Sequence, residues 1–285
     1  MSVPAAVSLQ GQRFTVVGGD GFVGRALVQT LRVRGAQVWQ PGRRQAPPWP
    51  EPLGHVMYCA GLTADYLARP TDTVQAHACL LAQVLQQPRW DSLVYLSSTR
   101  LYDALGLTVA HEDVVLPLNP ANPRHLYDLS KALGESLCHV MGRGRARVAR
   151  LACVYDGPED VDGFLPQLWR QVATARRQNR QEVAVASSPH SERDYVHLPD
   201  VVQALIGIAL HGQQPVYNVA SGANVSNADL FAWLQRRWGC RIAPQQSTAA
   251  APAPRISIAR LQGELQWQPQ GVLEVMGRWP EDESC

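Results

Sequence analysis

An α/β fold with a doubly wound parallel sheet is predicted by three observations. The short apolar run Phe14-Thr15-Val16-Val17 ends in glycines, and apolar residues then recur at helical spacing from Phe22 to Arg32. Two later runs, residues 55–61 and 92–98, are continuously apolar rather than alternating, as strands buried on both faces are. Strands also alternate with helical segments up to about residue 155, the pattern of successive βαβ crossovers. Together these describe a Rossmann sheet followed by a smaller C-terminal lobe.

The first strand-to-helix turn carries Gly18, Gly21 and Gly24. Glycines are required where the chain bends sharply and where backbone N–H groups approach a pyrophosphate at a helix N-terminus, whose dipole favours anions. A dinucleotide is therefore the expected cofactor. Gly35 stops the helix, and Gln37-Val38-Trp39 supplies a second strand. A carboxylate at the end of that strand would bind the ribose diol of NAD and repel a 2′-phosphate. Gln40 stands there instead, and Arg43 and Arg44 follow, able to pair with phosphate. NADP is thus expected ahead of NAD, the alternative being that both arginines only solvate a loop.

Residues 73–87 read as one helix, and Ser98 closes the run 92–98 at the carboxyl edge of the sheet, where active-site groups gather. Its hydroxyl can hold a substrate oxygen, the alternative being a serine that merely ends a strand in a turn. Residues 146–154 read as a further strand. Proline, glycine and acidic residues over 156–162 then mark a boundary between a dinucleotide-binding domain, 1–155, and a mainly substrate-binding lobe, 156–285, some of whose segments return to the first. Within the lobe, a helix is expected over 164–177. Another begins at Ser226, with Asp229 three residues on as in a capping box. Residues 245–254, rich in Ala and Pro, read as a surface connection.

Tyr127 and Lys131 are four residues apart, which on a helix places both side chains on one face. A free tyrosine ionises near pH 10, too high for efficient proton exchange at neutrality, and an adjacent ammonium favours the phenolate. The pair reads as one acid/base unit for hydride transfer to or from a carbonyl or carbinol carbon.

Composition narrows the partners. The chain has 285 residues, 46% hydrophobic and 18% charged, with a formal charge of +2, which gives no electrostatic case for nucleic acid. The arginine clusters at 143, 145, 147 and 150, and at 176, 177 and 180, read as solvated faces. The six cysteines form no C-x-x-C pair and no Cys/His metal spacing, so no metal is expected and free thiols point to a cytoplasmic location. No apolar run reaches the roughly eighteen residues of a membrane span.

Four segments in fixed order carry a family resemblance: Gly18-Gly19-Asp20-Gly21-Phe22-Val23-Gly24, Leu96-Ser97-Ser98-Thr99-Arg100-Leu101-Tyr102, Tyr127 to Lys131, and Arg193-Asp194-Tyr195-Val196-His197. The chain resembles the extended short-chain dehydrogenase/reductases, the NAD-dependent epimerase/dehydratase family, and in Pro252 to Leu261 its small reductase-like members. The resemblance implies a catalytic set of Ser98, Tyr127 and Lys131, with Lys131 also holding the nicotinamide ribose. It implies that the glycine turn with Phe22 and Val23, together with Ala60 and Gly61, lines the cofactor. Ser98, Thr99 and Arg193 fall on the substrate side, Arg193 being similar to an arginine that contacts a substrate phosphate. A homodimer is a further implication.

Departures refine the expectation. Thr99 and Arg100 stand where sugar-nucleotide dehydratases carry Asp-Glu, so no acid is present to protonate a leaving hydroxyl. Residues 186–192 lack the glycine-rich turn usual before Arg-Asp-Tyr in sugar-nucleotide enzymes, which argues against a nucleotide-sugar substrate. The reading is an NAD(P)-dependent oxidoreductase acting on a small molecule. The alternatives are an epimerase working through a transient ketone and a dinucleotide sensor without catalysis.

Overall fold

The computed structural model describes residues 8–280 apart from 44, 46, 50, 107 and 247–252. The opening βαβ unit forms as the glycine turn implies. β1 (Arg13–Val17) leads into α1 (Phe22–Val33), and β2 (Gln37–Trp39) returns parallel to β1. β3 (His55–Tyr58) pairs on the other side of β1, and β4 (Ser92–Ser98) lies beside β3.

The helix predicted over 73–87 is instead three pieces: α2 (Pro70–Val74), a π turn (Gln75–Cys79) and α3 (Leu80–Leu85). A π turn displaces carbonyls from the regular ladder. Here buried phenols supply donors, Tyr58 to the Ala76 carbonyl at 2.6 Å and Tyr95 to that of His77 at 3.2 Å. After β4 come a 3₁₀ turn (Thr99–Tyr102), the short β5 (Val109–Ala110), a second 3₁₀ turn (Pro123–His125) and α4 (Leu126–Met141). The strand predicted over 146–154 is split between two sheets. β6 (Ala146–Leu151) pairs with β4, whereas β7 (Cys153–Tyr155) leaves to pair elsewhere.

The remaining elements are α5 (Phe164–Arg177), β8 (Glu182–Val185), β9 (Glu192–His197), α6 (Leu198–His211), β10 (Val216–Val219), β11 (Asn224–Ser226), α7 (Asn227–Trp238), β12 (Arg241–Pro244), β13 (Arg255–Ile256), α8 (Ala259–Leu265) and α9 (Val272–Gly277). The expected capping box at Ser226 and Asp229 starts α7. Sequence reasoning did not single out α6 or β10. Residues 198–211 are apolar nearly all round, which suits a helix wedged between a sheet and other helices but blurs the amphipathic signal.

The large sheet has six strands in the order β10-β6-β4-β3-β1-β2, all parallel. Its connections reverse direction between β1 and β3, so a crevice opens at their carboxyl ends. One apolar cluster joins the sheet to α1, α6 and α8, and a second joins its other face to α3 and α4. A third gathers Tyr155, Tyr195, Trp169 and Trp279 with residues of α5, α7 and α9. Arg150 corrects the expectation of a solvated cluster: it is 4% exposed and paired with Glu135 of α4 at 2.6 Å. Its position on a central strand points the guanidinium under α4 rather than to water.

Among the described residues no helix is long and apolar enough to cross a membrane, and no group of His, Cys, Asp and Glu is placed to hold a metal ion. Cys59, Cys79, Cys138, Cys153 and Cys240 carry free thiols.

Candidate active site

The glycine turn is a backbone surface with no room for side chains. Gly18 has φ +79°, and a Cβ there would lie 2.7 Å from the Ala60 nitrogen. At Gly24 it would lie 2.2 Å from the Gly18 carbonyl oxygen, so this glycine lets α1 pack against the turn that starts it. Gly21 caps α1 without any side-chain hydrogen bond, and the first helical turn holds no acidic residue. The N–H groups at Phe22 and Val23 therefore point from an uncapped helix end, a donor set that fits a pyrophosphate. Gln40 lies across the turn and donates to Asp20 at 2.6 Å. Arg43 is exposed just beyond β2, and Arg44 falls outside the described residues.

Tyr127 and Lys131 share one face of α4, both buried at 5% and 6% exposure. The Tyr127 phenol is hydrogen-bonded to the Ser98 hydroxyl at the end of β4. Lys131 Nζ donates to the Leu96 carbonyl at 2.8 Å and lies 5.9 Å from the centre of the Tyr127 ring. A Cβ on Gly61 would come within 3.3 Å of that Nζ, so the loop after β3 abuts the lysine. β4, α4 and the loop after β3 thus bring Ser98, Tyr127, Lys131 and Gly61 to one place, with Ala60 half-buried beside them.

The electrostatics differ from the sequence expectation. Burial raises the Tyr127 phenol above its ordinary range, opposed by the Ser98 hydrogen bond and then by the Arg100 guanidinium. Burial also holds the Lys131 ammonium down, to about 8. The ammonium is therefore not the leading charge acting on the phenol: it turns its proton to a backbone carbonyl one strand away.

On the substrate side, Thr99 donates its hydroxyl to the Leu151 carbonyl at 3.3 Å, an anchoring contact. Arg193 is exposed, donating to the neighbouring Glu192 carbonyl at 3.2 Å. Asp103 feels both Arg193 and Arg100, which places the two guanidinia around one carboxyl group. Asp194 is fixed by the backbone N–H groups of Ser221 and Gly222.

Three residues escaped sequence reasoning. Arg100 stacks over both the Tyr66 and Tyr127 rings, 5.0 Å from each centre. His77, fully buried on the π turn, meets the Tyr127 ring edge-on at 5.4 Å. Its Nε2 accepts from the Leu62 N–H at 3.2 Å, so Nδ1 carries the proton and donates to Ser130 Oγ at 2.8 Å. The Ser130 hydroxyl in turn donates to the Tyr127 carbonyl. His125 ends the 3₁₀ turn that leads into α4, and its Nδ1 accepts from the Asn119 N–H.

Against this geometry, a model of the NAD-dependent epimerase/dehydratase family matches residues 49–220, more than half of the chain. The chain belongs to that family. It is a nicotinamide-dependent enzyme of the extended short-chain dehydrogenase/reductase type, with NAD or NADP as cofactor. A dTDP-4-dehydro-6-deoxy-D-allose reductase from Streptomyces bikiniensis is 24% identical over 317 residues, covering 94% of this chain and 96% of the relative. Among solved structures, RMD from Pseudomonas aeruginosa complexed with NADPH matches with a TM-score of 0.74 at 24% identity, covering 96% of this chain and 98% of that one. A UDP-glucuronic acid 4-epimerase from Bacillus cereus, in complex with NAD and a fluorinated UDP-sugar, matches with a TM-score of 0.70 at 17% identity, covering 93% and 96%. The family's fold therefore extends along almost the whole chain.

Proposed function

We propose that this enzyme is a reductase or dehydrogenase in which Tyr127 moves the proton at the oxygen of a carbonyl or carbinol group. The observation that carries the reading is the hydrogen-bonded Ser98–Tyr127 pair, flanked by buried Lys131 and by the Gly61 loop at the carboxyl edge of the sheet. The bound dinucleotide supplies or accepts the hydride. In the reducing direction, Ser98 donates a hydrogen bond to the substrate oxygen and fixes its position. Tyr127 gives its phenolic proton to that oxygen as charge develops there. Lys131, anchored by Leu96, would hold the nicotinamide ribose through its remaining N–H groups. In the oxidising direction the phenolate takes the proton back.

The absence of a carboxylate at Gln40 and the exposed Arg43 support a preference for NADP, with Arg44 as a second candidate contact for the 2′-phosphate. Residues 156–285 are proposed to form most of the substrate-binding lobe, with Arg193 at its entry, and a homodimer remains part of the proposal. The sequence departures argue against a nucleotide sugar. The match to a reductase of a dTDP sugar, which covers 94% of this chain and 96% of that protein, supports one. A thermal-shift panel with UDP and dTDP sugars separates the two.

Epimerisation through a transient ketone is the second reading, supported by the likeness to a 4-epimerase with NAD. Net consumption of NADPH supports a reductase, and turnover without added cofactor supports an epimerase. The decisive variant is Tyr127→Phe, which keeps the ring and loses the proton. Turnover is expected to fall by roughly 100-fold or more. Unchanged turnover would remove Tyr127 from the mechanism.

A further inference from the structure

Arg100 leaves β4 two residues after Ser98, and its guanidinium lies between two aromatic rings, 5.0 Å from the centres of both Tyr66 and Tyr127. Three contacts hold it there. Nη2 donates to the Tyr66 hydroxyl at 2.9 Å and to the Arg124 carbonyl at 3.4 Å, and Nε lies 3.4 Å from Asp128 Oδ1. Its side chain is 35% exposed, so the cation reaches solvent rather than lying in the core.

We propose that Arg100 is a positioning residue for the proton transfer, holding the Tyr127 ring by stacking and supplying the lasting positive charge that favours its phenolate. The inference rests on the reading of Tyr127 as acid/base. It adds a second cation, outside the Tyr-x-x-x-Lys pair, to the electrostatic task that spacing gives to Lys131.

The groups around the phenol make the assignment specific. From the end of β4 come Ser98, a hydrogen-bond partner, and Arg100; Tyr95 lies further back on the same strand. From α4 itself come Asp128, whose carboxylate opposes ionisation, and Lys131. From β7 comes Cys153, whose thiol also opposes ionisation of the phenol. His77 on the π turn is neutral, and the Tyr66 ring packs 5.6 Å from that of Tyr127. Of the two cations, Lys131 loses its proton near pH 8, below the range in which a buried phenol ionises. A guanidinium keeps its charge throughout that range. Charge of either sign within a few ångströms moves a titration by about one to three pH units.

The test needs no substrate. The ionisation of Tyr127 is read as the tyrosinate absorbance of the enzyme minus that of its Tyr127→Phe variant, and the same difference is taken in Arg100→Gln, Arg100→Lys and Asp128→Asn backgrounds. Arg100→Gln should raise the midpoint by about one pH unit or more. Arg100→Lys should raise it less, and Asp128→Asn should lower it. A purely structural role would not move the midpoint in opposite directions for the two partners of one ion pair. If Arg100→Gln binds NADPH and keeps its near-ultraviolet circular dichroism yet leaves the midpoint unmoved, the proposal is overturned. Should that variant not fold, the opposed shifts of Arg100→Lys and Asp128→Asn decide, and their absence overturns it equally. Full turnover in Tyr127→Phe alongside the expected shifts would defeat the acid/base reading while leaving the Arg100 pairing intact.

Discussion

His77 shows how one neutral side chain can lock two functional segments together. Burial pushes its imidazole down, to about 3, with the nearby Lys131 charge acting in the same direction. It thereby joins the Gly61–Leu62 loop to Ser130 of the catalytic helix. Because the folded-state value lies below the ordinary 6.5, the unfolded chain binds more protons between about pH 3 and 6.5. The stability due to neutral His77 is fully present above 6.5 and is lost as the pH falls through that window, by an amount on the order of a few kcal/mol. Urea midpoints measured across this range should decline, and His77→Gln, which takes up no proton there, should flatten the decline. Equal slopes in the two proteins would show that other groups carry the acid sensitivity. At this scale the glycine turn and the Tyr127–Lys131 spacing were visible within a few residues, whereas Ser98 drew its meaning from its order among the other segments. Arg100, Tyr66 and His77 were not visible, because nothing in a linear pattern shows that three elements far apart in sequence converge on one phenol.

At the level of elements, α4 depends on a close approach that only a missing side chain permits. A Cβ on Gly134 would lie 2.3 Å from the Tyr95 hydroxyl oxygen and 2.9 Å from the His77 carbonyl. The second contact is backbone, and the Tyr95 hydroxyl is already committed to that same carbonyl, so neither neighbour yields freely. Gly134→Ala should therefore destabilise the protein by about 1–3 kcal/mol despite alanine's better helix propensity. A thermal midpoint equal to or above that of the parent would show that α4 can shift away from the π turn. The same contact explains why one helix was expected over 73–87. Apolar spacing persists through the segment, but the extra residue in the π turn answers to donors from Tyr58 and Tyr95, which lie on other strands. The capping box of α7 was legible for the opposite reason, since Ser226 and Asp229 complete each other's hydrogen bonds within four residues.

Across the whole molecule, a buried polar network ties the catalytic helix to the sheet. Arg150 of β6 donates to both carboxylate oxygens of Glu135 on α4, at 3.0 and 2.6 Å, and to the Tyr102 hydroxyl at 2.6 Å. Tyr102 in turn donates to Asn218 on β10 at 2.8 Å. Glu135→Ala would leave a buried guanidinium without its counter-ion, a loss of about 3–5 kcal/mol that chemical denaturation would register. A much smaller loss would mean that water reaches Arg150. Sheet class and parallel pairing were legible from the alternation of strands with helices, whereas α6 and β10 were not, their apolar runs lacking the periodicity that distinguishes a helix from a strand. The late arrival of β10 also has a cost during biosynthesis. A nascent chain halted just beyond Tyr155 would leave the free edge of Ala146–Leu151 as an adhesive seam, open to any passing strand until Val216–Val219 emerges to seal it.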